Sequence, residues 1–209
     1  YVYPLTTDCN ILERVNLMSA ASPEDRFTMI THTTPGIIAC LVSLGTVYRD
    51  QKKYSTAEEF YMKSLQFIHD LYGEGAAVSS AAHTLHNLAG NYYHMRQYNK
   101  AEDYYLQALS MYRQISQSGG SLDIAKTLYN TAINYQHMKQ YNKAEDYYLQ
   151  ALSMYRKISQ GAVSMDIANT LNNIAANYSD TEQYNKADDY YLQALSMYRQ
   201  ISQSGGSLD

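Results

Sequence analysis

The chain has no tryptophan, no run of basic residues and no apolar stretch approaching the roughly 18 residues that a membrane-spanning helix requires. With no charged segment leading into an apolar run either, neither a membrane span nor a secretory signal is legible. The missing Lys/Arg cluster, in a chain of net charge −4, removes the electrostatic footprint of a nucleic-acid or anionic-membrane binder. Cysteine is scarce. Cys9 and Cys40 lie far apart, make neither a disulfide framework nor a zinc site, and favour a reducing, cytoplasmic setting. No nucleophile sits at a suggestive spacing from a base, and no glycine-rich loop separates a strand from a helix. Neither an enzyme nor a cofactor is therefore expected.

Tyrosine is the abundance set against these gaps: 23 of 209 residues, most of them in a repeat. The segment YNKAEDYYLQALSMYR at Tyr98 returns almost unchanged at Tyr141 and Tyr184, 43 residues apart each time. Self-similarity at a fixed period of about 20 to 50 residues marks one supersecondary unit stacked on copies of itself.

Within a copy, Ala101, Tyr105, Ala108, Leu109, Tyr112 and Ile115 recur at helical spacing as one apolar stripe. Asn99 with Glu102 reads as a capping box at the start of this B helix, as do Asn142 with Glu145, Asn185 with Asp188 and Ser55 with Glu58. Upstream, Leu85, Leu88, Ala89 and Tyr92 form the stripe of an A helix, joined to B by a turn at Arg96 and Gln97. Gly73, the Gly119-Gly120 pair and Gly161 read as stops of the B helices. The fold class is all-α, an α-solenoid of stacked antiparallel helical hairpins at about 34–76, 77–119, 120–162 and 163–205. The A helices are expected near 34–52, 77–96, 122–139 and 165–182, and the B helices near 54–72, 98–116, 141–159 and 184–202. Residues 1–33 fall outside the repeat, and the helix start Ser22-Pro23-Glu24-Asp25 predicts a helical segment there that caps the array. The phrase SQSGGSLD occurs at 116–123 and again at 202–209, where another A helix would begin, so the array over 34–209 is expected to be truncated at its C-terminus. Its last B helix keeps Tyr191, Leu195, Tyr198 and Ile201, the residues that interior copies bury, which predicts self-association through that repeat.

Aligned on the tyrosine between the helices, the A helices carry Leu41-Gly45-Tyr48, Leu85-Ala89-Tyr92, Leu128-Ala132-Tyr135 and Leu171-Ala175-Tyr178. The B helices supply small, aromatic and small residues, as in Ala57-Tyr61-Ser64 and Ala101-Tyr105-Ala108. This pattern resembles the tetratricopeptide repeat. The period exceeds that family's usual 34 or so, and the phrases VYRDQKKY at 47–54, TLHNLA at 84–89 and TLNNIA at 170–175 are similar to the long variant found in kinesin light chains. The resemblance implies a superhelix whose A helices line a concave groove, and a scaffold that binds a protein or peptide segment in it.

Comparison of the copies locates the groove residues. Among the A-helix positions that differ are these five: His83/Lys126/Asn169, His86/Tyr129/Asn172, Gly90/Ile133/Ala176, Tyr93/Gln136/Ser179 and His94/His137/Asp180. At about 100° per residue they share one face, opposite the Leu/Ala/Tyr stripe, whereas the B helix hardly changes between copies. Asn87, Asn130 and Asn173 do not vary on that same face. An amide offers a donor and an acceptor, which suits a peptide backbone whatever its side chains. Resemblance to tetratricopeptide domains that bind extended peptides implies that these three clamp a ligand backbone; the alternative is that each bridges adjacent helices. Arg49 joins the set as one of its few basic residues, beside Lys126. Asn91, Asn134 and Asn177 lie on the flank and read as structural. His83-x-x-His86 alone is too sparse for a metal site, Glu102-Asp103 suits the positive end of a helix, and the Tyr104-Tyr105 pairs read as core and not as a base-stacking platform. The expected function is a peptide or protein binding scaffold. A regulatory sensing array of a larger signalling polypeptide is the alternative.

Overall fold

The computed structural model describes residues 34–73, 75, 78–116 and 122–205, the last two of these in backbone only, so the segment expected to cap the array and the Gly119-Gly120 pair lie outside the described residues. Among the described residues all regular structure is helical: α1 (Thr34–Asp50), α2 (Tyr54–Tyr72), α3 (Ser79–His94), α4 (Tyr98–Ile115), α5 (Leu122–His137), α6 (Tyr141–Ser159), α7 (Met165–Asp180) and α8 (Tyr184–Gly205). Every A and B helix expected over 34–205 forms with its ends within two residues, except that α8 runs on to Gly205. The chain divides into two compact units, residues 1–76 and 77–209.

The first unit holds the hairpin α1–α2. Its two helices meet where Gly45 faces Tyr61: a Cβ on Gly45 would stand 2.6 Å from a ring carbon of that tyrosine, so nothing larger fits. Tyr61 is fully buried, and its hydroxyl lies 3.1 Å from Thr46 Oγ1.

The second unit stacks the hairpins α3–α4, α5–α6 and α7–α8. Ala101, Ala108, Ala144 and Ala151 are wholly buried, and their small side chains let the paired helices close up around Leu88, Leu128 and Leu171. Each of those leucines, taken out of water, contributes about 1.5–3 kcal/mol. Successive A helices touch (α3 with α5, α5 with α7) more closely than successive B helices do, so the A side of this unit is its inner side. A repeated rung joins neighbours: Tyr135 donates its hydroxyl to Glu102 at 2.7 Å and Tyr178 donates to Glu145 at 2.5 Å, each reaching back to the preceding B helix. The same rings stack on Tyr147 and Tyr190 of their own hairpin, at 5.3 and 5.5 Å between centroids, with Lys143 and Lys186 ammonium groups 4.9 Å from them. Tyrosine serves here because one side chain supplies both an apolar face and a hydroxyl donor at its tip, which phenylalanine lacks. Asn134 and Asn177, fully buried, add a second tie by donating to the carbonyls of Tyr98 and Tyr141 at 2.9 and 3.1 Å.

At α2, α4 and α6 the expected capping boxes do not form. The positions before α2, α4 and α6 are Lys53, Gln97 and Gln140, and no side chain caps these helices. The asparagines fall inside the first turn, while Glu102 and Glu145 are recruited by the tyrosines of the next hairpin, a charge-assisted bond stronger than a neutral one. The turns between A and B are closed by backbone instead. Lys52, Arg96, Lys139 and Glu182 adopt left-handed φ of 61°, 59°, 58° and 60°. Gln97, Gln140 and Gln183 then donate their amides to Tyr92, Tyr135 and Tyr178 carbonyls at 2.9 Å, a Schellman closure made without glycine. Gly73 does terminate α2, with φ 86° and its amide donated to His69. At the end of α6 the left-handed residue is Gln160, one before Gly161.

Candidate functional site

The A helices of the second unit turn the Leu/Ala/Tyr stripe inward, and the five varying positions singled out from the sequence land on the opposite, accessible face, whereas Leu88, Thr131 and Ile174, which also differ between copies, are buried. His83, His94, Lys126, His137 and Asp180 are exposed, and His86, Tyr93, Tyr129, Gln136, Asn169 and Asn172 are half-buried. Arg49 belongs to the first unit, where it pairs with its neighbour Asp50 at 3.4 Å.

Two hydrogen-bonded ladders cross from one A helix to the next. In the first, Asn130 Nδ2 lies 3.3 Å from His86 Nε2, and Asn173 Nδ2 donates to the Tyr129 hydroxyl at 2.7 Å. In the second, Gln136 Nε2 donates to Asp180 at 2.8 Å while its Oε1 accepts from the Tyr148 hydroxyl at 2.8 Å. Asn87 instead turns back onto its own helix and donates to the His83 carbonyl at 2.9 Å. The bridging alternative is thus observed at Asn130 and Asn173 and not at Asn87. In all three the amide oxygen accepts no hydrogen bond from the described residues, and the second amide hydrogen is uncommitted.

Geometry fixes the state of His86. Thr127 gives its hydroxyl hydrogen to the Asp123 carbonyl at 2.7 Å, so at 2.8 Å from His86 Nδ1 it can only accept. Nδ1 therefore donates to Thr127 and Nε2 faces the Asn130 amide, which makes His86 a link between two helices. A second proton on the ring would face the Asn130 amide hydrogens and force that amide to rotate.

The remaining candidates divide by partner. Tyr112 and His83 Nδ1 lie 3.1 Å apart, and Tyr198 donates to Asn169 at 2.6 Å, so these tyrosines of α4 and α8 reach the edge of the face. His137 stacks on Tyr98 at 5.6 Å and meets the Tyr93 ring edge-on at 5.2 Å; His94 flanks Tyr93 at 5.4 Å. Lys126 makes no ion pair among the described residues. Burial pushes the phenols of Tyr93, Tyr129 and Tyr148 above their ordinary 10.0, so these hydroxyls remain protonated donors at neutral pH.

Sequence reasoning missed Thr127 and Tyr148 as parts of this face, and Asp180 as a partner for Gln136. The available signal was that a buried tyrosine requires a partner for its hydroxyl. Among the described residues no three His, Cys, Asp or Glu side chains converge as metal ligands, and no helix is long and apolar enough to cross a membrane.

A sequence model described as tetratricopeptide repeat matches residues 80–157 and 123–200, and a second of the same description matches residues 37–75. No curated protein matches the chain. Among solved structures, BtubC (BKLC) from P. vanneervenii is similar at 22% identity and TM-score 0.72, over 79% of this chain and 64% of that one; this chain thus spans less than two thirds of it. A kinesin light chain-like protein of nearly identical repeats from Podosopora anserina is similar at 15% identity and TM-score 0.67, over 94% and 91% of the two chains. The Rap protein complexed with competence and sporulation factor is similar at 18% identity and TM-score 0.64, over 75% of this chain and 41% of that one. At these identities the likeness is one of fold.

Proposed function

From the premise that this chain belongs to the tetratricopeptide-repeat family, we infer that it is a binding scaffold. Its A-helix face holds an extended peptide or partner segment, and it carries out no chemistry of its own. One observation carries this reading: of the positions that distinguish three nearly identical hairpins, five on each A helix are left accessible by the fold on the inner side. Several of these side chains brace neighbouring helices, yet each keeps an accessible edge, so its identity is available for recognition. That Rap, of similar fold, was solved with competence and sporulation factor gives the reading a precedent in architecture.

Asn87, Asn130 and Asn173 act as the clamp through their amide oxygens and remaining hydrogens, with the ladders holding two of them in fixed orientation before ligand arrives. His86, Tyr129 and Asn172, with His83, His94, Lys126, Gln136, His137 and Asn169 around them, select among side chains. Specificity is a difference of affinities, so the two sets separate on mutation. A random peptide library panned on the full chain supplies ligands, which are titrated against Asn173→Ala and against His86→Ala with Tyr129→Ala. The clamp variant weakens every ligand alike, losing about 0.5–1.5 kcal/mol, and the selector variant reorders them. If Asn173→Ala lowers the melting temperature sharply and leaves binding intact, the asparagines are struts and the clamp is wrong.

A further inference from the structure

The outer side of the second unit carries a repeated feature that the groove reading does not use. Between α4 and α6 lies a notch of about 370 Å³, walled by Leu106, Leu109, Ser110 and Arg113 on one helix and by the Tyr147 ring on the next. Between α6 and α8 the equivalent residues Leu149, Leu152, Ser153 and Arg156, with Tyr190, wall a second notch of about 280 Å³. Neither arginine makes an ion pair among the described residues. The acids on the same helices, Asp103 and Asp146, stand ten residues earlier, about 15 Å along the helix axis.

Across the three copies six exposed B-helix positions do not change, although the exposed Gln114, which also borders the first notch, is Lys157 in α6. Lys100, Asp103, Leu106, Gln107, Ser110 and Arg113 are matched by identical residues in α6 and α8, all of them exposed, over the same interval in which five accessible A-helix positions have diverged. The fold does not demand this identity, because exposed substitutions away from caps and cores have small effects on stability. Leucine at an exposed position is the least expected of the six, and Leu106 and Leu149 are the two that border the notches.

We propose that this outer face is a second docking surface, for a segment presenting an apolar side chain next to a carboxylate, once per notch. The apolar group enters between the leucines and the tyrosine ring, and the carboxylate meets the arginine fork at the rim. Charge complementarity selects this occupant: the unpaired cation in each notch is an arginine, and a basic segment meets repulsion at both. Two like notches on one rigid unit favour a segment that repeats the pattern, since the second contact is then intramolecular.

The test uses synthetic peptides in which leucine or phenylalanine is flanked by glutamate, in single and tandem form, with lysine-flanked versions as controls. They are titrated against the full chain, against Arg113→Gln with Arg156→Gln, and against Arg113→Lys with Arg156→Lys. Glutamate-flanked peptides bind and lysine-flanked ones do not. The tandem peptide binds at least tenfold more tightly than the single one. The glutamine variant loses at least tenfold, and the lysine variant, which keeps the charge, retains most of the affinity. Both arginines are exposed, so the circular dichroism melts coincide with wild type. The His86→Ala, Tyr129→Ala variant of the inner face binds these peptides normally, which separates this surface from the groove. Absence of binding by every glutamate-flanked peptide, equal binding by the glutamine variant, or loss in the inner-face variant alone overturns the proposal.

Discussion

Tyr148→Phe isolates one hydroxyl at the heart of the inner face. The ring is wholly buried in wild type and its shape is kept, so the change removes only the bond to Gln136 Oε1 and a titratable proton. At neutral pH the lost neutral hydrogen bond costs about 1 kcal/mol, since Gln136 is half-buried and its oxygen regains water. Alkali reverses the order. Burial raises the folded Tyr148 well above 10.0, while the unfolded chain ionises near that value. A raised folded value gives stability that is complete below the unfolded one and is lost as pH climbs past it. By about pH 10.5 the wild type has given up about 0.8 kcal/mol at this residue, a loss the phenylalanine variant does not share. The stability gap closes, and the two proteins cross between about pH 10 and 11. Urea denaturation of both, followed by far-ultraviolet circular dichroism at pH 7, 9 and 10.5, measures the gap directly, and the other tyrosines cancel in the difference. A gap that stays constant with pH refutes the burial of this phenol, and a variant more stable than wild type at pH 7 refutes its hydrogen bond.

Gly45→Ala drives a methyl group into the Tyr61 ring and should cost the first hairpin about 1–3 kcal/mol; hydrogen exchange should rise across residues 34–72, and unaltered protection there would show that the ring has room to move. Asn134→Ala removes the side-chain donor to the Tyr98 carbonyl, which keeps its intrahelical bond, and should lower stability by about 0.5–1.5 kcal/mol in urea titrations. Lys139→Gly relieves a left-handed non-glycine residue in the α5–α6 turn, and a melting temperature that rises, by up to about 1 kcal/mol in stability, is the expected result. Tyr184 and Leu192 are 61% and 64% exposed on α8, so light scattering should show concentration-dependent association that Leu192→Lys abolishes.

The helices were legible because each has a continuous apolar stripe at one period, and the 43-residue repeat wrote the hairpin out three times in nearly the same letters. What connects one hairpin to the next was not legible. Glu102 has two plausible employers, the start of its own helix and Tyr135 of the next hairpin, 33 residues on, and only the folded stack brings the second within reach. The turns were hidden for a related reason: the left-handed residues are lysine, arginine and glutamate, so the usual glycine signal is missing. The accessible face could be found by comparing copies, yet that comparison shows which residues differ and not which touch. It therefore separated His86 from Asn130, which the structure joins.

The rung from Tyr135 to Glu102 and from Tyr178 to Glu145 means that a hairpin offers a plug on one side and a socket on the other, in the same place every time. Any copy can make this rung with any other, whatever its inner-face side chains do. Hairpins of this kind behave as cassettes: unequal recombination between their near-identical coding segments inserts or deletes a whole unit and leaves every junction intact. The number and order of inner-face sequences then become heritable variables in their own right, changed in one step with no new interface to evolve.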